Sequence, residues 1–321
     1  MKPVISICIP NYNHGRVLEQ TLDSVILNIT PEIEVLISDN ASTDNSQTII
    51  EKYRKHKNVQ LFYQKDTIPM SQHWNYVGRK AKGEWVIILS SDDVLEPNAI
   101  EKLLAAINNT KAKAIFFEYD FLENGIKKAK TPFYDHTAEI FGIEQFKVFL
   151  KGNNFPLSAC MFKRELMDRV DWFNDELVFC TDWHAWLKLC EASKHIVYIK
   201  EPLLLYRYHQ DNETHRCVEN LTALDEVILM KNELIKKHNI QDTTILKDIS
   251  KNNLKLAKNY LERVTLRNLL DAQRYYENKV AELTVILEKY NTNNPPNHYF
   301  SAPYPLPFGS IKFSLDNSEK I

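Results

Sequence analysis

The chain has 321 residues, of which 44% are hydrophobic and 26% are charged, so it is long enough to bury a sizeable core. Its formal net charge is -2, which argues against nucleic acid as a partner and against attraction to anionic lipid. The amino-terminal apolar run ends at Pro10 and is too short for a secretory signal, and no run is long enough to span a membrane. Five cysteines without paired spacing indicate reduced thiols. We expect a cytoplasmic protein, and a peripheral position at the inner face of the membrane stays open.

Residues 1–120 alternate short apolar runs with amphipathic stretches. The apolar runs are rich in β-branched and aromatic residues, which is typical of strands buried on both faces. Five strands are predicted, at 4–9, 34–38, 59–63, 85–89 and 114–119. Between them, apolar residues recur at helical spacing, and Asp44 with Gln47 has the spacing of a capping box. The pattern predicts an α/β fold with a mostly parallel sheet flanked by helices.

Beyond residue 120 the pattern becomes mixed and then helical. Helices are predicted at 143–150 and 182–191, a strand at 195–199 with a turn at Pro202, and further helices at 221–238 and over 245–290. The predicted division is a main domain over 1–216, a helical region over 217–290 and a Pro-rich extended tail over 291–321. The helical region leaves open a homodimer or a contact with a membrane enzyme.

Polar clusters follow three of the predicted strands. Residues 10–13 follow the first strand, residues 39–44 the second and residues 90–93 the fourth. Ligands of open α/β sheets bind beyond the carboxyl ends of the strands, so parallel strands would bring these clusters to one edge. The chain holds only seven Gly and has neither a dinucleotide-binding Gly motif nor a P-loop, which argues against both of those binding modes.

Two adjacent carboxylates, Asp92 and Asp93, are the sharpest local feature. They repel each other after a buried strand, and Mg²⁺ or Mn²⁺ bridging phosphate oxygens would relieve the repulsion. The alternative is a helix cap, because Pro97 begins a helix pattern shortly afterwards. Asp39, after the second strand, can either accept hydrogen bonds from a ribose or base, or form a turn.

Three segments together resemble the family-2 glycosyltransferases of the GT-A fold: VISICIPNYNHGRVLEQTLDSV, EVLISDNASTDNSQTI and HWNYVGRKAKGEWVIILSSDDVLEPNAI. Two later segments resemble the family's acceptor-side and closing segments: FKRELMDRVDWFNDELVFCTDWHAWLKL and YRYHQDNET. The resemblance covers residues 3–215. It implies a nucleotide-sugar half over 1–120 and an acceptor half over 121–216.

The resemblance also implies an activity. A hexosyl- or N-acetylhexosaminyl-transferase would move a sugar from a nucleotide-diphosphate donor, most often a UDP-sugar, to a glycan or lipid-linked glycan acceptor. Such an enzyme builds a surface polysaccharide, a lipopolysaccharide or a glycoprotein glycan. A nucleotidyltransferase and a non-catalytic nucleotide-sugar-binding protein of the same fold are the alternatives, and the missing Gly-rich, basic N-terminal loop argues against the former.

The resemblance assigns roles to individual residues. The nucleotide pocket would be lined by five of them: Pro10, Tyr12, Asp39, Asn75 and Asp92. Within it, Asp39 would contact the base and Asp92 would lie near the ribose. Asp93 would ligate Mn²⁺ or Mg²⁺, with His209 as a further metal or diphosphate ligand. Asp182 would be the general base of an inverting transfer.

Two departures from the family pattern bear on this site. Ser90 stands where the family often has an acid, which leaves metal dependence open. Thr181 stands where an acid often precedes the base. The residues alone also allow Asp182 to cap the helix that follows it, and His209 to be structural.

Overall fold

The computed structural model describes residues 2–209 and 212–292. The strands of this part of the chain are β1 (Ile5–Asn11), β2 (Ile33–Asp39), β3 (Val59–Tyr63), β4 (Trp85–Ile88), β5 (Val94–Leu95), β6 (Ala114–Glu123), β7 (Ile126–Lys128), β8 (Ala138–Phe141), β9 (Cys160–Lys163) and β10 (His195–Tyr208). The α-helices are α1 (Leu18–Leu27), α2 (Ser46–Glu51), α3 (Met70–Gly78), α4 (Ala99–Asn108), α5 (Gly142–Lys151), α6 (Arg164–Arg169), α7 (Thr181–Ala192), α8 (Glu213–Glu219), α9 (Thr222–Lys237), α10 (Thr243–Leu266) and α11 (Leu270–Asn291). The predicted tail lies outside the described residues from 293 onward.

A ten-stranded mixed sheet forms the centre of the molecule, in the order β3-β2-β1-β4-β9-β6-β10-β5, with β7 beside β6 and β8 beside β10. The first four strands of this order are parallel. β9 runs antiparallel between β4 and β6, so β6 points the same way as β4, and β10 is parallel to β6. The five strands predicted from the sequence are therefore all present and all end at one edge of the sheet.

The strands form because both of their faces are apolar and covered. Every residue of β1 and of β2 is buried. Ile7, in the middle of β1, is paired with Val35 on one side and Ile87 on the other. Burying one such side chain contributes roughly 1.5–3 kcal/mol, and Ile7→Ala would cost about 2–5 kcal/mol. This apolar centre fixes the strand ends on which the polar clusters sit.

The turn predicted at Pro202 is wrong. β10 continues through Pro202 to Tyr208, with a register shift against β6 on each side of the proline. Proline cannot donate a ladder hydrogen bond, so the strand accommodates it as an irregularity and resumes pairing. The extension carries residues 203–208 to the edge of the sheet where the polar clusters lie.

The predicted capping box is also wrong. The backbone N–H of Ser46 donates to the Asp44 carboxylate (2.9 Å), but a capping box needs that bond from the Gln47 N–H, and α2 begins after Asn45 rather than after Asp44. Gln47 does not complete it, because its side-chain amide donates to Asp39 instead (2.9 Å). The cause lies in the tertiary structure. β2 ends in a buried carboxylate, Asp39, and leaving a buried charge without hydrogen-bond donors costs more than leaving the start of α2 without its cap.

The helical region packs on the sheet domain through α9 and α10. The main-domain boundary predicted at residue 216 falls inside α8. Asp242 caps α10 by accepting hydrogen bonds from the backbone N–H groups of Thr244 and Ile245, an interaction worth about 1 kcal/mol. The Tyr276 hydroxyl of α11 donates to the Val218 carbonyl (2.8 Å) and ties the last helix to α8. None of the helices in the described residues is both long and apolar enough to cross a membrane.

Candidate active site

The site is assembled where β5 pairs with β10. Val94 and Leu95 lie antiparallel to Leu204 and Leu205, directly after the two adjacent carboxylates. This pairing brings the end of β10 beside Asp93, and the Arg207 N–H donates to its carboxylate (2.9 Å). Residues separated by more than a hundred positions in the chain therefore meet at one edge of the sheet.

Asp93 is closed off by its neighbours. Its side chain is 1% exposed, the Ser158 hydroxyl donates to one oxygen (2.6 Å), and the Arg207 N–H donates to the other. Burial raises the pKa of Asp93 well above its ordinary range, and the charge of Asp92 raises it further. The hydrogen bonds from Ser158 and Arg207 and the Arg207 charge act against this rise. Asp93 is therefore held in place from both sides.

Asp92 has different contacts from those of Asp93. One of its carboxylate oxygens lies 3.0 Å from His209 Nε2, and its backbone carbonyl accepts a hydrogen bond from Arg207 Nε (2.6 Å). The Asp92 side chain is more accessible than that of Asp93, and His209 is partly exposed. A carboxylate and an imidazole thus stand side by side at the edge of the sheet.

This pair supplies two side chains that could hold a divalent cation only together with a bound ligand. Within residues 2–209 and 212–292, no group of three or more His, Cys, Asp or Glu side chains is arranged to hold a metal ion. Mg²⁺ is commonly bound by one or two carboxylates together with substrate phosphates, and imidazole suits softer cations. The contacts favour Asp92 with His209 as the ligands over Asp93, whose assignment to the metal stays a prediction.

Sequence reasoning missed four residues that shape this edge. Arg207 and His14 lie inside segments that carried the resemblance, and His14 Nδ1 is 2.7 Å from the hydroxyl of Ser91. The Thr21 hydroxyl donates to the Ser91 carbonyl (3.0 Å) and fixes the turn after β4. Ser158, in a short 3₁₀ turn before β9, had no sequence signal because its role depends only on where that turn docks.

Asp39 ends β2 as a buried, well-satisfied carboxylate. One oxygen accepts from Asn11 Nδ2 (2.8 Å), and the other accepts from the Ser42 N–H (3.0 Å) and from Gln47 Nε2 (2.9 Å). A carboxylate offers about four lone-pair positions, so these donors leave room for one ligand hydrogen bond. The preceding residues differ in access, since Pro10 is buried and Tyr12 is exposed. The base-contacting role of Asp39 stays a prediction that the geometry permits.

Asn75 uses its amide within the fold. Its Nδ2 donates to the Phe173 carbonyl (2.8 Å) and to the Asp175 carboxylate (2.7 Å), and its Oδ1 accepts from the Phe173 N–H (3.0 Å). These bonds tie α3 to the segment before α7. They favour a positioning role over the predicted contact with a nucleotide.

Asp182 lies in the first turn of α7. The Trp183 N–H (2.6 Å) and, at longer range, Asn153 Nδ2 (3.4 Å) both donate to its Oδ1. Burial raises the pKa of Asp182 to about 7, and the two hydrogen bonds only partly oppose it. The residue as a whole is partly exposed, although its carboxyl lies deep enough for burial to dominate its pKa.

Asp182 and the carboxylate pair both act electrostatically on one buried side chain, Tyr206. Burial raises the pKa of the Tyr206 phenol, and the charges of Asp93, Asp92 and Asp182 all add to the rise. The segment of residues 153–158 gives the direct link between the two places, because Asn153 donates to Asp182 (3.4 Å) and Ser158 donates to Asp93 (2.6 Å).

The family model described as glycosyl transferase family 2 matches residues 6–170, about half of the chain. The chain belongs to this family. The matched residues include the ends of β1 and β2 and the carboxylate pair Asp92–Asp93. Membership makes the protein a glycosyltransferase and disfavours the nucleotidyltransferase alternative.

The curated relatives of this chain are also described as glycosyltransferases. The glycosyltransferase GlyG of Streptococcus pneumoniae is 29% identical over 223 residues, which are 64% of this chain and 71% of that protein. An uncharacterised glycosyltransferase of Mycoplasma pneumoniae is 36% identical over 125 residues, which are 36% of this chain and 40% of that protein. In the second case the similarity spans less than half of the relative.

Solved structures share the fold. S. aureus TarS 1-349 in complex with UDP-GlcNAc superposes with a TM-score of 0.65 at 16% identity, over 92% of this chain and 93% of that one. The mannosyltransferase PcManGT of Pyrobaculum calidifontis, in complex with GDP-Man and Mn²⁺, gives 0.53 at 15% identity, over 92% and 87%. These likenesses confirm the predicted GT-A fold with its C-terminal helices.

Proposed function

We propose that the protein is an inverting glycosyltransferase that uses a UDP-sugar and a hydroxyl acceptor on a glycan or lipid-linked glycan. One observation carries the proposal: the short segment of residues 153–158 contacts both carboxyl sites, since Asn153 donates to Asp182 (3.4 Å) and Ser158 donates to Asp93 (2.6 Å). A proton acceptor beside a cation-binding carboxylate pair is what displacement of a nucleotide diphosphate requires. TarS, solved with UDP-GlcNAc and with UDP, supports the choice of uridine.

Asp182 is the base in this proposal. Its carboxylate takes the proton of the acceptor hydroxyl while the hydroxyl oxygen forms a bond to the anomeric carbon. The bond from that carbon to the β-phosphate oxygen breaks, and its electron pair goes to the diphosphate. Attack opposite the leaving group inverts the anomeric configuration. A pKa of about 7 suits this task, because such a base is substantially ionised at neutral pH and still accepts a proton.

The leaving group would be held through a cation on the Asp92 side of the turn after β4. Asp92 and His209 would hold Mn²⁺ or Mg²⁺, which when bound offsets the negative charge that develops on the diphosphate. Arg207 fixes the Asp92 main chain, and Ser158 with Arg207 fixes Asp93. The turn after β4 thereby keeps one orientation when a diphosphate arrives.

Calorimetric titration of UDP, with and without Mn²⁺, tests the donor site. The wild type should bind more tightly with Mn²⁺, and Asp92→Asn should lose about tenfold or more of that gain, as loss of a metal ligand does. Asp271→Asn makes the same charge change on an exposed residue of α11 and should bind like the wild type. Binding of GDP but not UDP would contradict uridine, and a loss in Asp93→Asn alone would return the metal to Asp93.

A transfer assay tests the reaction. Incubation with a panel of UDP-sugars should release UDP, and nuclear magnetic resonance of the product should show an inverted anomeric centre. Retention of configuration would contradict the single-base mechanism. Binding of UDP without release from any UDP-sugar would favour the non-catalytic alternative.

A further inference from the structure

The segment that leads into the candidate base is held at its two ends by different parts of the molecule. At its start, Asn75 of α3 bonds Phe173 and Asp175. At its end, the anchor comes from α9, in the helical region. The five-residue stretch between Asp175 and α7 is therefore anchored to α3 at one end and to α9 of the helical region at the other.

The anchor at the end is the carboxylate of Glu226. One oxygen accepts from the Val178 N–H (2.7 Å), and the other accepts from the N–H groups of Phe179 (2.6 Å) and Cys180 (2.7 Å). Three consecutive amides thus converge on one side chain immediately before α7. Cys180 is the residue that precedes the first turn of α7, where amides lack partners in the helix and a negative charge is favourable to the helix dipole. Hydrogen bonds to an ionised acceptor are also among the stronger ones.

A second contact from α9 lies next to the base. Lys231 is fully buried, and its ammonium sits 4.8 Å from the ring centroid of Trp183, the residue that follows Asp182. Lys231 also donates to the Lys151 carbonyl (2.9 Å) and to Asn253 Oδ1 (2.7 Å). One helix therefore contacts the chain both just before and just after Asp182.

We infer that α9 belongs to the catalytic unit, and that Glu226 is a positioning residue that fixes Asp182 by holding the amides of residues 178–180. The inference rests on the proposed function, in which Asp182 is the base. Cys180 lies two residues before Asp182, so the backbone position of the base depends directly on this hold. Misplacement of a catalytic group by about 1 Å can cost about 10²-fold in rate.

The test compares Glu226→Gln with Glu233→Gln. Both remove one negative charge from α9, but Glu233 is exposed. In Glu226→Gln, an amide group replaces one acceptor oxygen, and the 178–180 amides should exchange with deuterium about tenfold faster or more. Turnover of the UDP-sugar should fall about 10²-fold, while UDP affinity and the donor KM stay within about twofold, because the donor side is untouched. Glu233→Gln should match the wild type throughout.

The pH dependence separates positioning from a loss of folded protein. A loosened segment lets water reach Asp182, so the pKa of Asp182 should fall from about 7 toward its ordinary 3.8 and the rising limb of the rate should move to lower pH. In a variant that only contains less folded enzyme, the rate is lower at every pH but its rising limb stays at the wild-type pH. Glu226→Asp keeps the charge on a shorter side chain, serves if Glu226→Gln fails to fold, and should show smaller changes of the same sign.

Asp182→Asn, measured in parallel, shows which idea fails. Loss of transfer in Asp182→Asn with normal transfer in Glu226→Gln and Glu226→Asp overturns the positioning role alone. Normal transfer in Asp182→Asn overturns the proposed base and the positioning role with it. Unchanged deuterium exchange at residues 178–180 in Glu226→Gln also overturns the positioning role, whatever the rates are.

Discussion

Two buried carboxyls of this protein have raised pKa values for the same first reason, burial, yet their surroundings differ. Asp93, in the turn after β4, has both oxygens engaged by Ser158 and Arg207 and is almost inaccessible. Asp182, at the start of α7, accepts from Trp183 and Asn153 on a single oxygen and is partly exposed as a residue. A raised pKa is common to the two, so it does not by itself identify a base.

Access and free bonding capacity make the distinction. A proton acceptor must reach the hydrogen-bond distance of its substrate with an oxygen that is not already committed. Asp182 fits that condition better, because its bonds from Trp183 and Asn153 engage only one of its oxygens, whereas Asp93 has a donor on each oxygen and is almost inaccessible. Under the proposed mechanism, this contrast favours Asp182 as the proton acceptor and Asp93 as a fixed part of the turn after β4.

The largest expected effect is that of Asp182→Asn. Removing the base should lower kcat by about 10²–10⁴-fold while UDP affinity stays within about twofold. The matched change on the donor side, Asp93→Asn, should instead reduce stability, because it disturbs two buried hydrogen bonds. Steady-state kinetics and thermal unfolding of both variants check this. A larger loss of kcat, at equal folded fraction, in Asp93→Asn would reverse the assignment.

Asp182→Asn also has a signature in stability. The folded pKa of Asp182, about 7, lies above its ordinary 3.8, so the wild type loses stability as pH rises from about 4 through about 7. The Asn variant lacks this titration. Its melting temperature relative to the wild type should therefore be higher at pH 8 than at pH 4.5, and a constant difference would contradict the raised pKa.

The second effect is the pH dependence of the wild-type rate. A base must be ionised to act, so kcat should rise with pH, with a midpoint near 7 set by Asp182. Metal saturation should be held constant across the series, since cation binding to His209 and Asp92 also depends on pH. A midpoint near 4 would mean that Asp182 is better solvated than its burial indicates.

Much of the fold was predictable because it depends on local patterns. β1, β2 and β4 are nearly continuous apolar runs, and helices α7 and α9 have clear amphipathic spacing, so each was predicted close to its observed position. β9 was missed, since four residues after a 3₁₀ turn are too few to show a period. The continuation of β10 past Pro202 was missed because proline locally predicts a turn, and only pairing with β6 overrides it.

The candidate site divides in the same way. Asp39, Asp92 and Asp182 could be singled out because each follows a recognisable element or motif. The groups that determine what those carboxylates can do were not visible: Ser158 and Glu226 lie far away in the chain and have no motif of their own. Their roles depend on the docking of a 3₁₀ turn and of α9. Register between distant elements is a tertiary property that one sequence does not display.

The third effect is on stability. Ser158→Ala removes the hydroxyl donor to buried Asp93 and should destabilise the fold by about 1–3 kcal/mol, the usual cost of leaving a buried acceptor unsatisfied. Turnover per folded molecule should change much less than in Asp182→Asn. Urea unfolding with the rate measured at equal folded fraction checks both quantities. A neutral Ser158→Ala would mean that the closure of Asp93 is less complete than the contacts indicate.

The smallest expected effect concerns the weakest bond in the comparison. Asn153 donates to Asp182 at 3.4 Å from an exposed position, so Asn153→Ala should leave the free energy of unfolding within about 0.5 kcal/mol. The bond favours the ionised carboxylate and lowers the pKa of Asp182 slightly, so its removal should move the rising limb of kcat to slightly higher pH. Asn154→Ala is the matched control, because Asn154 donates to the Gly152 carbonyl and should leave the limb in place. A shift of the rising limb to lower pH in Asn153→Ala would show that water entering beside Asp182 lowers its pKa by more than the loss of the Asn153 hydrogen bond raises it. In that case the surroundings of Asn153, together with burial in the fold, hold the pKa of the base near neutral pH.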